Sequence, residues 1–161
     1  MEFDSQNPYE INEEASLDYT FINRDGIKYH ASFYSVEPLY PEFIETYSFS
    51  IEPEDKRSHP IDRRIAITIA EILRRFFEVN TNAMIMVCDS TDGKEFKRRK
   101  LFDRWFDHFS DDSILKYDAS APLAEYQLFI SLYLNKNNPN KDLLLHAFSK
   151  LMEADLYGLG I

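Results

Sequence analysis

Four charged residues in one short stretch carry the strongest chemical signal in this chain: Asp89, Asp92, Arg98 and Arg99. The two aspartates belong to the turn-forming run Cys88-Asp89-Ser90-Thr91-Asp92-Gly93, and the arginines follow in a helix expected to start near Lys94. A strand end that leads through a turn to a helix N-terminus suits anions, because backbone N–H groups and the helix dipole converge there. The chemistry on offer is therefore the holding of phosphate or another small anion by guanidinium and amide groups. The same residues also admit a purely architectural reading, in which the aspartates close the turn and cap the helix while the arginines pair with them. The spacing fits neither a calcium loop, which needs alternate oxygen ligands before its glycine, nor a P-loop, since Gly93-Lys94 lacks the earlier glycine and the following Ser or Thr.

Other reactive side chains are dispersed. Cys88 as a nucleophile needs a nearby histidine, and His30, His59, His108 and His146 are scattered along the chain. One cysteine and no close histidine pair do not make a zinc site. The residues thus assign no catalytic group, no metal and no cofactor. Lys97, Arg98, Arg99 and Lys100 form a basic run suited to solvation of an exposed helix or to a nucleic-acid or protein partner, and Arg63, Arg64, Arg74 and Arg75 extend it if the two helices share a sheet face. Tyr9, Tyr19, Tyr29, Tyr34, Tyr40 and Tyr47 crowd the first third of the chain, where they serve a core, an interface or a stacking face.

These residues need elements to position them. Residues 83–88 are a continuous apolar run, the pattern of a strand covered on both faces. After the turn, Phe102, Trp105, Phe106 and Phe109 recur at i, i+3, i+4 and i+7, one face of a helix over 94–109. Upstream, residues 17–23 alternate with Leu17, Tyr19 and Phe21 on one face. Asn23-Arg24-Asp25-Gly26 is a hairpin signal, and 27–35 returns with Ile27, Tyr29, Ala31 and Phe33 facing one way. A third strand is expected over 43–51, with Phe43, Glu45, Tyr47, Phe49 and Ile51 on one side; a glutamate on that side has no explanation in the pattern. Ile65, Ile69, Ile72, Leu73 and Phe76 mark a helix capped by Ser58 or Asp62 and ended near Asn80. Residues 113–118 and 125–134 read as two more strands. A last helix carries Leu144, Ala147, Phe148 and Leu151 on one face, with Gly158 past its end.

The expectation is an α+β chain: a mixed six-stranded sheet with helices packed on it, in the order β-β-β-α-β-α-β-β-α. Residues 1–15 form an acidic, loosely ordered lead-in, and residues 16–161 form a single domain. At 161 residues with 13 Phe, 10 Tyr and only four Gly, the chain has the material for a sizeable core. The formal net charge of −10 is uneven: from 56 to 104 there are 12 Lys+Arg against 7 Asp+Glu (net +5), leaving 6 against 21 (net −15) elsewhere. An acidic whole disfavours general nucleic-acid affinity, although the basic run keeps a local contact open. A single cysteine, no leader-like opening and no apolar run near ~18 residues fit a cytoplasmic protein outside the membrane.

Two resemblances add to this. The element order over 16–135 resembles the general-control-related N-acetyltransferase (GNAT) fold, in which a meander leads through a helix to a strand, a helix and a final strand pair. That resemblance implies an acyltransferase-like enzyme binding acetyl-CoA through an Arg/Gln-x-x-Gly-x-Gly/Ala loop before the first helix. The corresponding stretch here, Lys56-Arg57-Ser58-His59-Pro60-Ile61-Asp62-Arg63-Arg64, has cations and no glycine. The run from Cys88 to Gly93 with Arg98, Phe102 and Trp105-Phe106, together with Tyr19, Phe21, Gly26 and Tyr29, resembles a bacterial family of uncharacterised small proteins. It implies a soluble bacterial protein and supplies no activity. Three functions follow: a non-enzymatic interaction or regulatory module with a protein partner or a second copy, an acyltransferase-like enzyme with a degenerate cofactor loop, or a nucleic-acid-linked component of a toxin–antitoxin or defence operon.

Overall fold

The computed structural model describes residues 7–55, 62–89, 100, 103–107, 112–123 and 126–153. The strands are β1 (Asn12–Ala15), β2 (Asp18–Ile22), β3 (Lys28–Ser35), β4 (Thr46–Pro53), β5 (Ala83–Asp89), β6 (Ile114–Leu123) and β7 (Tyr126–Asn135). Helix α1 (Arg63–Phe77) joins β4 to β5, and helix α2 (Lys141–Glu153) follows β7. All seven strands share one mixed sheet in the order β1-β2-β3-β4-β5-β7-β6. The fold is α+β as expected, but the sheet has seven strands rather than six. The additional one, β1, lies within the acidic lead-in; its four residues are all exposed, so it carries no apolar alternation from which to be read.

The β2–β3 hairpin forms where the Asp-Gly signal stands. The Asn23 side chain accepts from the Asp25 and Ile27 N–H groups (3.0 and 2.9 Å), and Gly26 takes φ +77°. Beyond it, Tyr19, Phe21, Tyr29, Ala31 and Phe33 are buried on one face of the sheet.

The third expected strand starts three residues late, at Thr46, and the reason is Glu45. Its φ of +48° is left-handed, a conformation that β-strands exclude. The Glu45 N–H donates to Glu37 Oε1 (3.0 Å), and its carbonyl accepts from the Ala83 N–H (3.0 Å). The alternation through Phe43 therefore breaks. Tyr47, Phe49 and Ile51 pack on the α1 side, whereas Phe43 is buried in the cluster on the opposite side. Glu45 had no place in a strand because it is a turn residue.

Helix α1 takes Asp62 as its N-cap, the Ile65 N–H donating to Asp62 Oδ1 (2.7 Å). Ile65, Ile69, Ile72, Leu73 and Phe76 are all buried against the sheet, each contributing about 1.5–3 kcal/mol of transfer free energy. Glu78 rather than Asn80 is the C-cap, and the Asn82 amide donates to the Phe76 carbonyl (2.9 Å) to finish the turn. Met84, Trp105 and Tyr133 complete this core. On the other face, Ala83, Ile85, Ile130, Leu132 and Leu134 pack under Leu144, Ala147 and Phe148 of α2. Trp105 sits in a helical turn over 103–107, inside the expected aromatic helix; Phe102 and Phe109 lie outside the described residues.

Candidate functional site

The sheet opens at its centre. β4 and β5 run parallel, and their pairing covers Thr46↔Ala83, Tyr47↔Met84 and Ser48↔Ile85. Beyond that point β4 stays with β3 as far as Tyr29↔Pro53, while β5 stays with β7 as far as Asp89↔Leu128. The two strands therefore part toward their carboxyl ends, which is where ligands bind in open sheets containing parallel strands.

A cavity of about 300 Å³ occupies this opening. Ser48 and Phe49 of β4 form one wall, and Ile85, Met86 and Val87 of β5 form the other. Ile130 of β7 and Leu151 of α2 close the floor, and Val36, Tyr40 and Phe43 arrive from the loop before β4. Because Phe49 and Met86 belong to the α1-side core while Ile85 and Ile130 belong to the α2-side core, the cavity lies on the line between the two. Its walls are hydrocarbon and aromatic, with the Ser48 hydroxyl and Tyr40 phenol as polar groups.

At the carboxyl end of β4, the N-terminus of α1 is already furnished with an anion. Besides capping Ile65, Asp62 accepts from the Tyr9 O–H through Oδ2 (3.0 Å). The Tyr9 N–H donates to Thr68 Oγ1 (2.8 Å), whose own hydroxyl donates to the Arg64 carbonyl (2.7 Å). The Arg64 guanidinium lies 4.2 Å from the Tyr9 ring centroid and donates from Nε to the Asn7 carbonyl (2.9 Å). Burial pushes the Tyr9 phenol pKa up, and the Asp62 carboxylate acts in the same direction.

Of the four residues singled out in the sequence, the structure describes the backbone of Asp89 alone. Asp89 is the last residue of β5, at the open end of the split, and its side chain lies outside the described residues, as do Asp92, Arg98 and Arg99. Cys88 is placed in β5 opposite Phe129, again without its side chain. His30 meets Glu54 on the surface at 3.0 Å, and His146 is exposed on α2. Among the described residues no three His, Cys, Asp or Glu side chains gather as a metal would need. The basic patch on α1 is less free than its sequence suggests. Arg74 and Arg75 both pair with Glu71 (2.9 and 3.1 Å), and Arg74 also reaches Glu78 (3.2 Å). Those arginines hold the Glu71 carboxyl below its ordinary range. Lys100 is exposed, and Lys97 lies outside the described residues.

Sequence reasoning did not find the cavity between β4 and β5. Val36, Tyr40 and Phe43 reach it from a loop whose separation from β5 in the chain hides the contact. Among the described residues no helix is long and apolar enough to cross a membrane.

Split sheet and paired faces define an α+β chain with a mixed sheet opened between two parallel strands. Residues 61–150 match a family of unknown function (DUF6169), and since the match spans more than half of the chain, the chain belongs to that family. It runs from just before α1 into α2 and takes in β5, β6 and β7. No curated protein and no solved structure matches the chain.

Proposed function

We propose that this chain is a non-enzymatic ligand-binding module that takes an apolar group, an acyl chain or an aromatic ring, into the split between β4 and β5. The observation that carries this is the cavity itself: about 300 Å³, apolar-walled, and set where two parallel strands separate. Ser48 and Tyr40 would orient a polar end of the ligand, and the hydrocarbon walls would supply affinity. A medium-chain fatty acid titrated into the protein should shift NMR signals of Ser48, Ile85 and Ile130. Val87→Trp, placed at a half-exposed lining position, should weaken that binding at least ~10-fold, a loss of about 1.4 kcal/mol, while leaving the melting temperature near wild type. Shifts scattered over the surface, or unchanged binding by Val87→Trp, would overturn the reading.

A second reading is favoured by the strand order. A meander, a helical connection to a parallel neighbour and a closing hairpin extend the resemblance to the acyltransferase order, so an acyltransferase-like enzyme with a degenerate cofactor loop is the alternative. The cofactor's pyrophosphate would have to share the α1 N-terminus with the Asp62 carboxylate, and the stretch 56–64 brings no glycine to let backbone amides crowd it. Acetyl-CoA is therefore expected to bind no tighter than about millimolar, ~4 kcal/mol. Micromolar, stoichiometric binding by calorimetry would put the enzyme reading first.

A further inference from the structure

The two edges of the sheet are built differently. β1 is four residues long, fully exposed, carries Glu13 and Glu14, and its pairing with β2 is broken by a register shift between Glu13 and Ala15. Short, charged and bulged strands are how sheets keep an edge from recruiting another chain. β6 has ten residues in unbroken register with β7, from Ile114↔Asn135 to Leu123↔Tyr126. Among the described residues no strand pairs with its outer side. Only Pro122, near one end, withholds a backbone donor.

The side chains on β6 indicate which strand would fit. Lys116 and Asp118 flank Tyr117 and point to the same face, since strand side chains alternate. If a second β6 is laid antiparallel with Tyr117 opposite Tyr117, Lys116 falls opposite Asp118 of the other copy, twice by symmetry. On the opposite face Leu115 meets Ala119. In one copy, Lys116 Nζ lies 2.6 Å from Asp103 Oδ1 and 3.5 Å from Asp118 Oδ2, so two carboxylates share one ammonium. Asp118 Oδ1 accepts from the Ser131 hydroxyl (2.5 Å), which fixes the carboxylate while Oδ2 keeps only the longer contact. In the pair each Asp118 faces an ammonium from the second copy as well as its own, so the two lysines are shared across the seam although the ratio of carboxylates to ammonium is unchanged. An inward lysine that would repel an arbitrary strand is thus matched by the chain's own sequence read in reverse.

We infer that β6 is a self-association edge, and that two copies pair β6 to β6 antiparallel about Tyr117 to give one continuous sheet through the dimer. Strand addition of this kind takes affinity from main-chain hydrogen bonds and specificity from the facing side chains. The inference is independent of what the central cavity holds.

Sedimentation equilibrium of the wild-type chain across a concentration series tests it. The expected result is a concentration-dependent monomer–dimer equilibrium. Lys116→Asp and Asp118→Lys each place like charges opposite one another twice and should weaken the dimer at least ~10-fold, and the double variant Lys116→Asp/Asp118→Lys should restore it. Since Lys116 also lies near the Phe106 and Tyr133 rings (5.8 and 6.0 Å), a single variant that fails to fold is replaced by a wild-type measurement. Amide hydrogen exchange over 114–120 should slow as concentration rises. A monomer at every concentration, exchange over 114–120 that ignores concentration, or folded single variants that dimerise as well as wild type would each overturn the proposal. A double variant that folds but stays as weak as the singles would do the same.

Discussion

Trp105→Ala is expected to lower the free energy of unfolding by about 3–5 kcal/mol, the range for deleting a fully buried large aromatic side chain. For a chain of this length that corresponds to a fall in melting temperature of roughly 6–20 °C. Trp105 is 1% exposed, and its ring stands edge-on to Phe49 with centroids 6.5 Å apart and planes at 89°. It lies in the helical turn over 103–107, so its removal undoes the docking of that turn. Phe49 also forms a wall of the central cavity, which makes the effect twofold: a hole in the α1-side core and a looser boundary to the site. Thermal and denaturant unfolding would measure it. A Trp105→Ala protein that melts within about a degree of wild type would show that this turn is not held by the indole.

Phe76→Ala should be of similar size, about 3–5 kcal/mol, for a different reason. Phe76 ends the buried stripe of α1 and lies parallel to Phe33 of β3, with centroids 4.1 Å apart and planes at 1°. Tyr47 and Phe77 meet it edge-on at 5.7 and 4.9 Å. One ring thus ties α1 to both β3 and β4. Part of the loss is burial, and part is specific to the ring pair. A double-mutant cycle with Phe33→Leu and Phe76→Leu separates the two. A coupling of about 0.5–1.5 kcal/mol is expected if the stacked pair contributes beyond area. Additivity within ~0.3 kcal/mol would reduce the pair to two independently buried side chains.

The parts of this molecule that were legible in the sequence are those whose signals are local. Phe21 and Tyr29 flank an Asp-Gly turn, and the hairpin is where that turn places it. Ile65 to Phe76 repeat at helical spacing, and α1 buries them. What escaped was set by contacts between distant segments. β1 is a strand because β2 pairs with it, not because Asn12 to Ala15 alternate. Phe43 faces away from Phe49 because Glu45 turns left-handed between them, a choice fixed by its bonds to Glu37 and Ala83. The cavity is made of side chains from β4, β5, β7, α2 and the loop before β4, none unusual in its own stretch. Of the run Cys88 to Gly93, only the backbone of Cys88 and Asp89 lies within the described residues, so the anion reading of that corner stands as an expectation apart from the cavity.

β5 also has a kinetic meaning. Each hairpin closes a short loop: Ile22 meets Lys28, and Leu123 meets Tyr126. Neither neighbour of β5 is local. Ala83 pairs with Thr46 on one side (83 − 46 = 37 positions away) and with Leu134 on the other (134 − 83 = 51). Closing a 37-residue loop instead of a 6-residue one costs about 1.6 kcal/mol more chain entropy. Non-local parallel pairings of this kind slow folding, so the two ribbons, β2–β3–β4 and β6–β7, are expected to form ahead of the strand that unites them, an order that pulsed hydrogen exchange would check. Until then Ala83, Met84, Ile85, Met86 and Val87 are an uncharged apolar stretch with nothing on either flank, the composition that recruits other chains during synthesis. The residue that ends it, Asp89, is the first charge after the stretch and stands where a gatekeeper residue would.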